Sequence, residues 1–356
     1  MLQLLRRVFF IGLLFGATTG LAKEADAQPT SLKAEIKAYI DHHLEDAHDF
    51  TLLSYTAKDG HKVHVGMPLP VILWDNGLKI FSSSKLYHGE SVAKVGDSYY
   101  KLDHGKIYRV DAEGTITYDA EHHATNVAPL DFSITKNVFS ILLTALIMFI
   151  LFRGLAKSYA ENRMIAKGVG RFMEPIILYV RDEIAIPNIG EKHYKRYMSY
   201  LLTLFFFIWF LNLLGLTPLG INVTGNIAIT FCLALITFII TNVSGNKAYW
   251  GHIFWMPGVP TFMKIVLAPV ELLGVFIKPF SLMIRLYANI SAGHIVLMSL
   301  IGLIFLFKNW LGSSLSFALA FAISIIEILV ALLQAYIFTV LSALYFGFAV
   351  EEHDEH

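Results

Sequence analysis

Cysteine is almost missing from this chain of 356 residues, which contains only Cys232. A disulfide within the chain is therefore impossible, and a metal-thiolate cluster is excluded. Charge is scarce too, because Asp, Glu, Lys and Arg make up 16% of the residues while apolar residues make up 55%. That composition is too apolar for a soluble protein of this length, and it indicates a membrane protein with a soluble appendage.

Two motifs of catalytic chemistry are also missing. The sequence has no G-x-x-x-x-G-K-[ST] phosphate loop, so we expect no nucleotide chemistry in this chain and no enzymatic activity of the chain on its own. It has no H-E-x-x-H either, which argues against a zinc metalloprotease working inside the membrane. We predict no cofactor and no nucleic-acid partner.

The first 27 residues have the pattern of a secretion signal. Arg6 and Arg7 precede a short apolar run from Val8 to Ala22, and Ala25-Asp26-Ala27 provides small residues at the cleavage site. The alternative is an additional, uncleaved membrane helix. Cleavage after Ala27 would leave a mature chain that starts outside the cytoplasm, which in a double-membraned bacterium is the periplasm.

Residues 28–135 have the pattern of a small, mostly β periplasmic domain. An acidic, helix-like stretch from Ser31 to Asp49 comes first. The sequence Asp75-Asn76-Gly77 then separates two apolar runs and predicts a hairpin, because Asn-Gly accepts the positive φ values of a type I′ turn. Asp103-His104-Gly105 predicts a second hairpin. The domain is too small for a catalytic unit, and we expect a solvated cap or attachment surface rather than a conduit.

Histidine is unusually frequent in this domain. Metal binding is one interpretation, but no established ligand spacing is present, so we predict a solvated surface of histidines and acids with no metal. The histidines concerned are His42, His43, His48, His61, His64, His88, His104, His122 and His123.

Residues 136–356 predict five membrane-crossing helices. A ~30 Å hydrocarbon core takes about 20 helical residues. The apolar runs of at least about this length are 136–155, 197–217, 222–243, 260–307 and 315–350, and each predicts one span.

The orientation follows from positive charge. The stretch after the first span is rich in Lys and Arg, which places it in the cytoplasm together with the C-terminus of a chain that crosses five times. These residues are Arg153, Lys157, Arg163, Lys167, Arg171, Arg181, Lys192, Lys195 and Arg196. Within this stretch, residues 172–186 mix apolar and charged side chains and predict an amphipathic helix on the cytoplasmic surface.

The last two spans are too long to stand upright. Pro260 to Phe307 would extend ~70 Å as one helix, so it either breaks, for example at Pro279, or is steeply tilted. Trp310 to Ser314 supply a turn, and a second overlong helix begins near Phe317. The fold class is therefore an all-α polytopic membrane protein whose last two helices form a long tilted hairpin, preceded by the β domain.

Three ionisable side chains lie in these two apolar spans. They are Arg285, His294 and Glu327, and such residues at bilayer depth mark ion or proton paths. In an antiparallel hairpin that turns near Asn309, His294 faces Glu327 and Arg285 faces Gln334. The alternative is a set of structural polar contacts between helices.

The sequence around these residues resembles subunit a of the F-type ATP synthase. The resemblance rests on Ser281–His294 (SLMIRLYANISAGH) and Glu327–Phe338 (EILVALLQAYIF), supported by Val180–Gly190 (VRDEIAIPNIG) and Asn222-Val-Thr224. It covers the chain from about Val138 to the end. Many members carry an acid two positions before Asn-Val-Thr, where this chain has Gly220.

The resemblance implies a role for each matched position. Arg285 matches the essential arginine that faces the carboxylate of each passing c subunit, and Gln334 matches the glutamine beside it. His294 and Glu327 match the pair that relays protons in the outer half-channel. Other matches imply that Asn289 lines that channel and that Glu271 is an acid near the cytoplasmic half-channel.

The resemblance also implies partners and a location. The partners are the c-subunit ring, the b subunits of the stator, the remaining F0F1 subunits and membrane lipid, in a bacterial inner membrane. The coupling ion, H⁺ or Na⁺, depends on ligands of the c subunit. A proton-coupled secondary transporter with a periplasmic domain is the alternative, although such transporters usually contain internal repeats and no second copy of the Arg285 region occurs.

Overall fold

The computed structural model describes residues 45–351 except 57–61, 90, 120, 122, 162–167, 218–220, 257–258 and 308. The predicted signal and most of the predicted acidic helix lie outside these residues. The prediction of a helix is wrong for its last residues, because residues 45–48 are irregular and Asp49 begins a strand. The Asp46 carboxylate explains the difference: it accepts hydrogen bonds from the Thr135 hydroxyl (3.1 Å) and the Asn137 amide (3.0 Å), which holds the segment extended.

We call residues 45–135 the β domain. Its described strands are β1 Asp49–Thr56, β2 Lys62–Pro68, β3 Pro70–Trp74, β4 Leu78–Ser82, β5 Ala93–Val95, β6 Ser98–Asp103, β7 Lys106–Val110 and β8 Leu130–Asp131. These strands form three small antiparallel sheets with the strand orders β1-β2, β4-β3-β8 and β5-β6-β7. The main apolar core of the domain contains Val71, Leu73, Phe81, Tyr100 and Ile107.

Both predicted hairpins form, with different turns. His104 (φ +45°) and Gly105 (φ +76°) make a two-residue turn with two positive φ values, as a type I′ turn requires. Asn76 and Gly77 also have positive φ, but their turn is one residue longer because Trp74 pairs with Leu78. Asp75 is held out of the ladder by the Tyr100 hydroxyl at 2.9 Å and by Arg109 at 3.5 Å.

The interpretation of the histidines as a solvated surface is wrong for His48. Its side chain is buried, and its Nε2 lies 2.7 Å from Asp131 Oδ2. Burial favours a higher pKa for the Asp131 carboxyl, but hydrogen bonds from His48 and Ser133 outweigh it and hold that pKa below its usual value. His42, His43, His61 and His122 lie outside the described residues. Among those that are described, no three His, Cys, Asp or Glu side chains form a group that could hold a metal.

Eight α-helices follow in the described part of the chain, and five of them are long and apolar enough to cross a membrane. The helices are α1 Lys136–Glu161, α2 Val169–Tyr179, α3 Ile186–Ile189, α4 Tyr194–Gly215, α5 Ile227–Ser244, α6 Lys247–Phe254, α7 Thr261–Leu306 and α8 Trp310–Val350. The five candidate spans are α1, α4, α5, α7 and α8.

The turn between α4 and α5 is longer than the sequence predicts. It covers residues 216–226, which we call the outer turn, with 218–220 outside the described residues. Asn226 starts α5 late because its side-chain oxygen accepts a hydrogen bond from the Ala228 amide at 2.9 Å, as an N-cap does. Asn222 and Thr224 are therefore part of the turn and not of a membrane span.

The hairpin of α7 and α8 is built from two continuous helices. α7 runs through Pro269 and Pro279 as one helix of 46 residues, so of the two alternatives, a break or a steep tilt, the break is not present. α8 begins at Trp310 because the Asn309 side chain caps the Gly312 amide at 2.8 Å, which makes the predicted turn residues its first helical turn. At ~69 and ~62 Å, both helices are about twice as long as the hydrocarbon core is thick, so they require a steep tilt.

The predicted surface helix 172–186 packs deeply against the other helices. α2 continues through a π-helical segment, Val180–Ala185, into α3. Val180, Ile184 and Ile189 are buried in the apolar core of the membrane helices. At its end, the Asn188 carbonyl oxygen lies directly against Gly347 of α8, where any β-carbon would collide with it.

We expect Gly347→Ala to destabilise the helical domain, by about 1–3 kcal/mol as overpacking usually does. The obstacle is backbone, the Asn188 carbonyl, which cannot rotate away as a side-chain end can. Gly274→Ala is the matched control, because it adds the same methyl to a helical glycine with no heavy atom nearby. Thermal unfolding of the purified subunit in detergent measures the difference, and equal midpoints for the two variants would contradict this packing.

Candidate functional site

The three ionisable residues singled out in the last two spans all lie in the hairpin. Arg285 is half-buried on α7, while His294 and Glu327 are buried on α7 and α8. Arg285 and His294 are nine residues apart, so they project from opposite sides of α7. His294 turns toward the end of α4, and Arg285 lies beside outward-facing residues such as Ile284 and Ala288.

Arg285 is a cation without a carboxylate in the described chain. No ion pair or hydrogen bond joins its guanidinium to any described residue. Its positive charge interacts electrostatically with the Tyr345 hydroxyl of α8. Gln334, predicted to face it, is buried at 3% exposure on α8. No hydrogen bond links Arg285 and Gln334 in the described residues, so their pairing stays a prediction.

Close approaches to two glycines show where the side chains of His294 and Glu327 lie. A β-carbon on Gly293 would lie 2.7 Å from Glu327 Oε1, so Glu327 meets α7 at the residue just before His294. A β-carbon on Gly215, the last residue of α4, would lie 3.3 Å from His294 Nε2. Glu327 thus reaches α7 at the level of His294, but the His294 side chain turns toward α4, and no hydrogen bond or ion pair joins the two in the described residues. Whether they exchange protons stays a prediction.

The carboxyl group of Glu327 is buried without a donor. Neither of its oxygens has a hydrogen-bond partner among the described residues. An isolated carboxylate in an apolar environment is strongly disfavoured, so a group in this position is stable when it is protonated or hydrated.

Buried polar groups connect the outer turn with this region. The Thr224 hydroxyl donates to Asn212 Oδ1 at 2.8 Å, and Asn212 Nδ2 donates to the Ala331 carbonyl of α8 at 3.4 Å. Asn222 is buried as well, and its side chain lies against Gly225. We call Asn212, Asn222 and Thr224 the polar cluster. It extends from the outer turn to α8 one turn beyond Glu327.

A second polar region lies at the opposite end of α7. A cavity of about 330 Å³ is lined by side chains of α6, α7 and the end of α8. Glu271 and Lys278 line it from α7, and His252 and Glu351 add two more titratable groups. The Lys278 ammonium lies 5.5 Å from the ring centre of Tyr345 and 5.7 Å from that of Phe348. Glu271 is thus separated from His294 by more than six helical turns.

Asn289 is placed apart from both regions. It is exposed one turn after Arg285, on the outward side of α7, and it does not join the polar cluster. The sequence did not indicate two residues that lie in these polar regions, namely His252 at the cavity and Asn212 in the polar cluster. Asn212 could have been found, because it is an amide in an uncharged apolar run, but its place near the end of the span resembled a turn.

Comparisons with known proteins cover nearly the whole described chain. The family model described as "ATP synthase A chain" matches residues 138–347, and a model described as a domain of unknown function matches residues 39–132. The boundary between the two matches coincides with the start of α1. The β domain and the helical domain are therefore matched by two different family models.

Three relatives share the name ATP synthase subunit a. That of Myxococcus xanthus is 44% identical over 237 residues, covering 64% of this chain and 77% of the relative. That of Chloroherpeton thalassium is 43% identical over 235 residues, covering 65% of this chain and 70% of the relative. Subunit a 2 of Prosthecochloris aestuarii is 35% identical over 303 residues, covering 81% and 92%.

The match reaches from the first membrane helix almost to the end of α8, and it includes Arg285, His294, Glu327 and Gln334. The helical architecture agrees with it, because five long apolar helices make a multi-pass membrane protein. The chain belongs to the ATP synthase subunit a family.

Proposed function

We propose that this chain is the proton-translocating stator subunit of an F-type ATP synthase, with Arg285 as the fixed charge between two half-channels. The observation that carries the proposal is the guanidinium itself. It is half-buried at membrane depth on an outward-facing side of the hairpin, and none of the described carboxylates pairs with it. A cation in that position requires an anion from a partner, and a carboxylate of the c-subunit ring supplies one.

Arginine suits this role because its guanidinium stays protonated at any relevant pH. A ring carboxylate that arrives beside it favours the ionised form, so it releases its proton to the exit side. Once it has moved past, it takes up a proton from the inlet. The same positive charge repels protons and prevents them from crossing directly between the half-channels. Gln334, on the adjacent helix, would hydrogen-bond the carboxylate as it passes.

The outer half-channel would run from the outer turn through the polar cluster to His294 and Glu327. Support comes from the buried hydrogen bonds of Asn212 and Thr224 and from the donor-free carboxyl of Glu327. Asn289, exposed between His294 and Arg285 along α7, would line the last part of this route. We infer protons as the coupling ion because a histidine and a carboxylic acid both titrate and pass protons along a wetted path.

The inner half-channel would be the cavity lined by Glu271. Glu271 lies about 21 Å along α7 from Arg285, by the helical rise of 14 residues. The cavity opens beside α6 and Glu351, at the end of the chain that the positive-inside rule places in the cytoplasm. In this orientation the β domain, preceded by the signal at 1–27, lies in the periplasm.

The remaining partners follow from the same proposal. The c-subunit ring would contact the outward side of α7 and α8, the b subunits would hold the subunit in the stator, and lipid would cover the other exposed apolar surfaces. The chain makes no ATP itself, and nucleotide chemistry belongs to other F0F1 subunits.

Arg285→Ala should abolish both ATP synthesis and ATP-driven proton pumping while the complex still assembles. Arg285→Lys should also fail, since a compact ammonium cannot reproduce the guanidinium fork. Lys264→Ala is the matched control, because it removes another cation of α7, one that stacks on Trp255 at 4.7 Å far from the site. Proton pumping by membrane vesicles gives the readout. Coupled pumping at the normal rate in Arg285→Ala would overturn the proposal.

Exchanging the two relay groups, as His294→Glu with Glu327→His, should retain more proton flux than either single alanine variant. The reason is that the two residues lie at one level of the hairpin, so either order leaves one acid and one imidazole at that level. A double-mutant cycle with His294→Ala and Glu327→Ala should be strongly non-additive. Simple additivity of the two losses would show that the residues act independently.

Gly293→Ala should reduce proton flux without preventing assembly. The added methyl would meet Glu327 Oε1, and the end of a flexible side chain can move aside where backbone cannot. The shorter acid of Glu327→Asp should restore part of the flux in this background, although alone it should reduce it. Gly274→Ala is again the control. Full flux in Gly293→Ala, or no rescue by Glu327→Asp, would argue against a critical position for this carboxyl.

A further inference from the structure

The β domain and the membrane helices share one apolar cluster. Phe50 and Leu69 enter it from the β domain, at 7% and 2% exposure. Leu211 of α4 and Ile221 and Val223 of the outer turn complete it, each at 1% exposure. Residues 221–224 of the outer turn are thus buried, with Ile221 and Val223 packed against the β domain.

The covered residues alternate with polar ones. Ile221 and Val223 belong to the apolar cluster, whereas the intervening Asn222 and the following Thr224 belong to the polar cluster. The Ile221 carbonyl also lies 3.0 Å from the position of a β-carbon on Gly215, the same position that lies 3.3 Å from His294 Nε2. A shift of the turn would therefore move both the polar cluster and the wall beside His294.

The β domain is held firmly enough to fix this turn. The Leu69 amide donates to the Ser83 hydroxyl at 3.0 Å, and the Ser83 amide donates back to the Leu69 carbonyl at 2.9 Å. The Phe50 ring packs edge-on against Phe139 of α1, with ring centres 5.4 Å apart. The Lys136 amide, at the start of α1, donates to the Ala47 carbonyl at 2.9 Å, which ties the segment just before β1 and Phe50 to the helix.

We propose that the β domain is a positioning element of the outer half-channel, acting through Phe50 and Leu69 on the outer turn. By covering Ile221 and Val223 it keeps Asn222 buried and holds the Thr224 hydroxyl on Asn212. This inference rests on the proposed function, and it replaces the sequence-based expectation that the domain is separable from proton conduction. Without the cover, two large apolar side chains would face water, and the turn would rearrange to hide them.

The test compares two phenylalanines of the same domain. Phe50 and Phe81 are both 7% exposed, but Phe81 belongs to the separate core of the β domain. Passive proton flux through the reconstituted complex is measured against outer pH, at equal incorporation. We expect Phe50→Ala to lower the flux by roughly threefold to tenfold and to shift its pH profile, and Phe50→Leu to restore it. Phe81→Ala should leave the flux and the profile unchanged.

A second measurement asks whether Phe50 acts through the polar cluster. Adding Phe50→Ala to Asn222→Ala should cause little further loss of flux, because both changes disturb the same turn. If Phe50→Ala does not incorporate, Leu69→Val takes its place, with a smaller expected loss that should likewise vanish in Asn222→Ala.

Normal flux in Phe50→Ala, or losses that add to those of Asn222→Ala, would overturn the inference. A loss of similar size in Phe81→Ala would overturn it too, since it would reflect general damage to the domain. These outcomes are distinct from failure of the proposed function. If Arg285→Ala abolishes coupling while Phe50→Ala has no effect, the proposed function stands and only the positioning role fails.

Discussion

The unneutralised guanidinium of Arg285 is the constraint on which the rest of the helical structure depends. A charged side chain at the bilayer centre costs about 2.5–3.5 kcal/mol on translocon scales, and helices keep one where it serves function. Here α7 carries it with no described carboxylate beside it, on a side that faces outward. The subunit is in this sense incomplete on its own. Its electrostatics favour a partner that brings a carboxylate to that side, and a site of this kind suits a passing ring better than a permanent ion pair.

The unusual length of α7 and α8 follows from the same requirement. A polar region near His294, the fixed charge and the cavity at Glu271 all lie along one helix, which needs several more turns than an upright span provides. Such tilted helices need lateral support, and α2, the π-helical segment and α3 provide it, down to the contact of Asn188 with Gly347. Glycines mark the other close approaches, at Gly215 and Gly293, where helix backbones leave room for the side chains of His294 and Glu327.

Local and periodic features were predictable from the sequence. The existence of five long apolar helices and of both hairpins follows from apolar runs and turn residues, and Glu327 meets α7 one residue from its predicted partner. What the sequence did not reveal depends on contacts between distant residues. Asp46 caps α1, His48 bonds Asp131 across 83 positions, and Phe50 joins a cluster with Ile221. Such contacts leave no periodic trace in a single sequence, since each is created by packing between segments that lie far apart along the chain.

The separation of two aqueous half-channels at Arg285 is the central claim, and thiol accessibility tests it most directly. In the functional complex with Cys232→Ser, Thr224→Cys probes the polar cluster and Val275→Cys probes the cavity of Glu271. A small membrane-impermeant thiol reagent is added from one side of sealed vesicles at a time. The account predicts that Thr224→Cys reacts only from the side of the β domain and that Val275→Cys reacts only from the opposite side. Reaction of either cysteine from both sides would mean one continuous aqueous pore, and it would contradict the account.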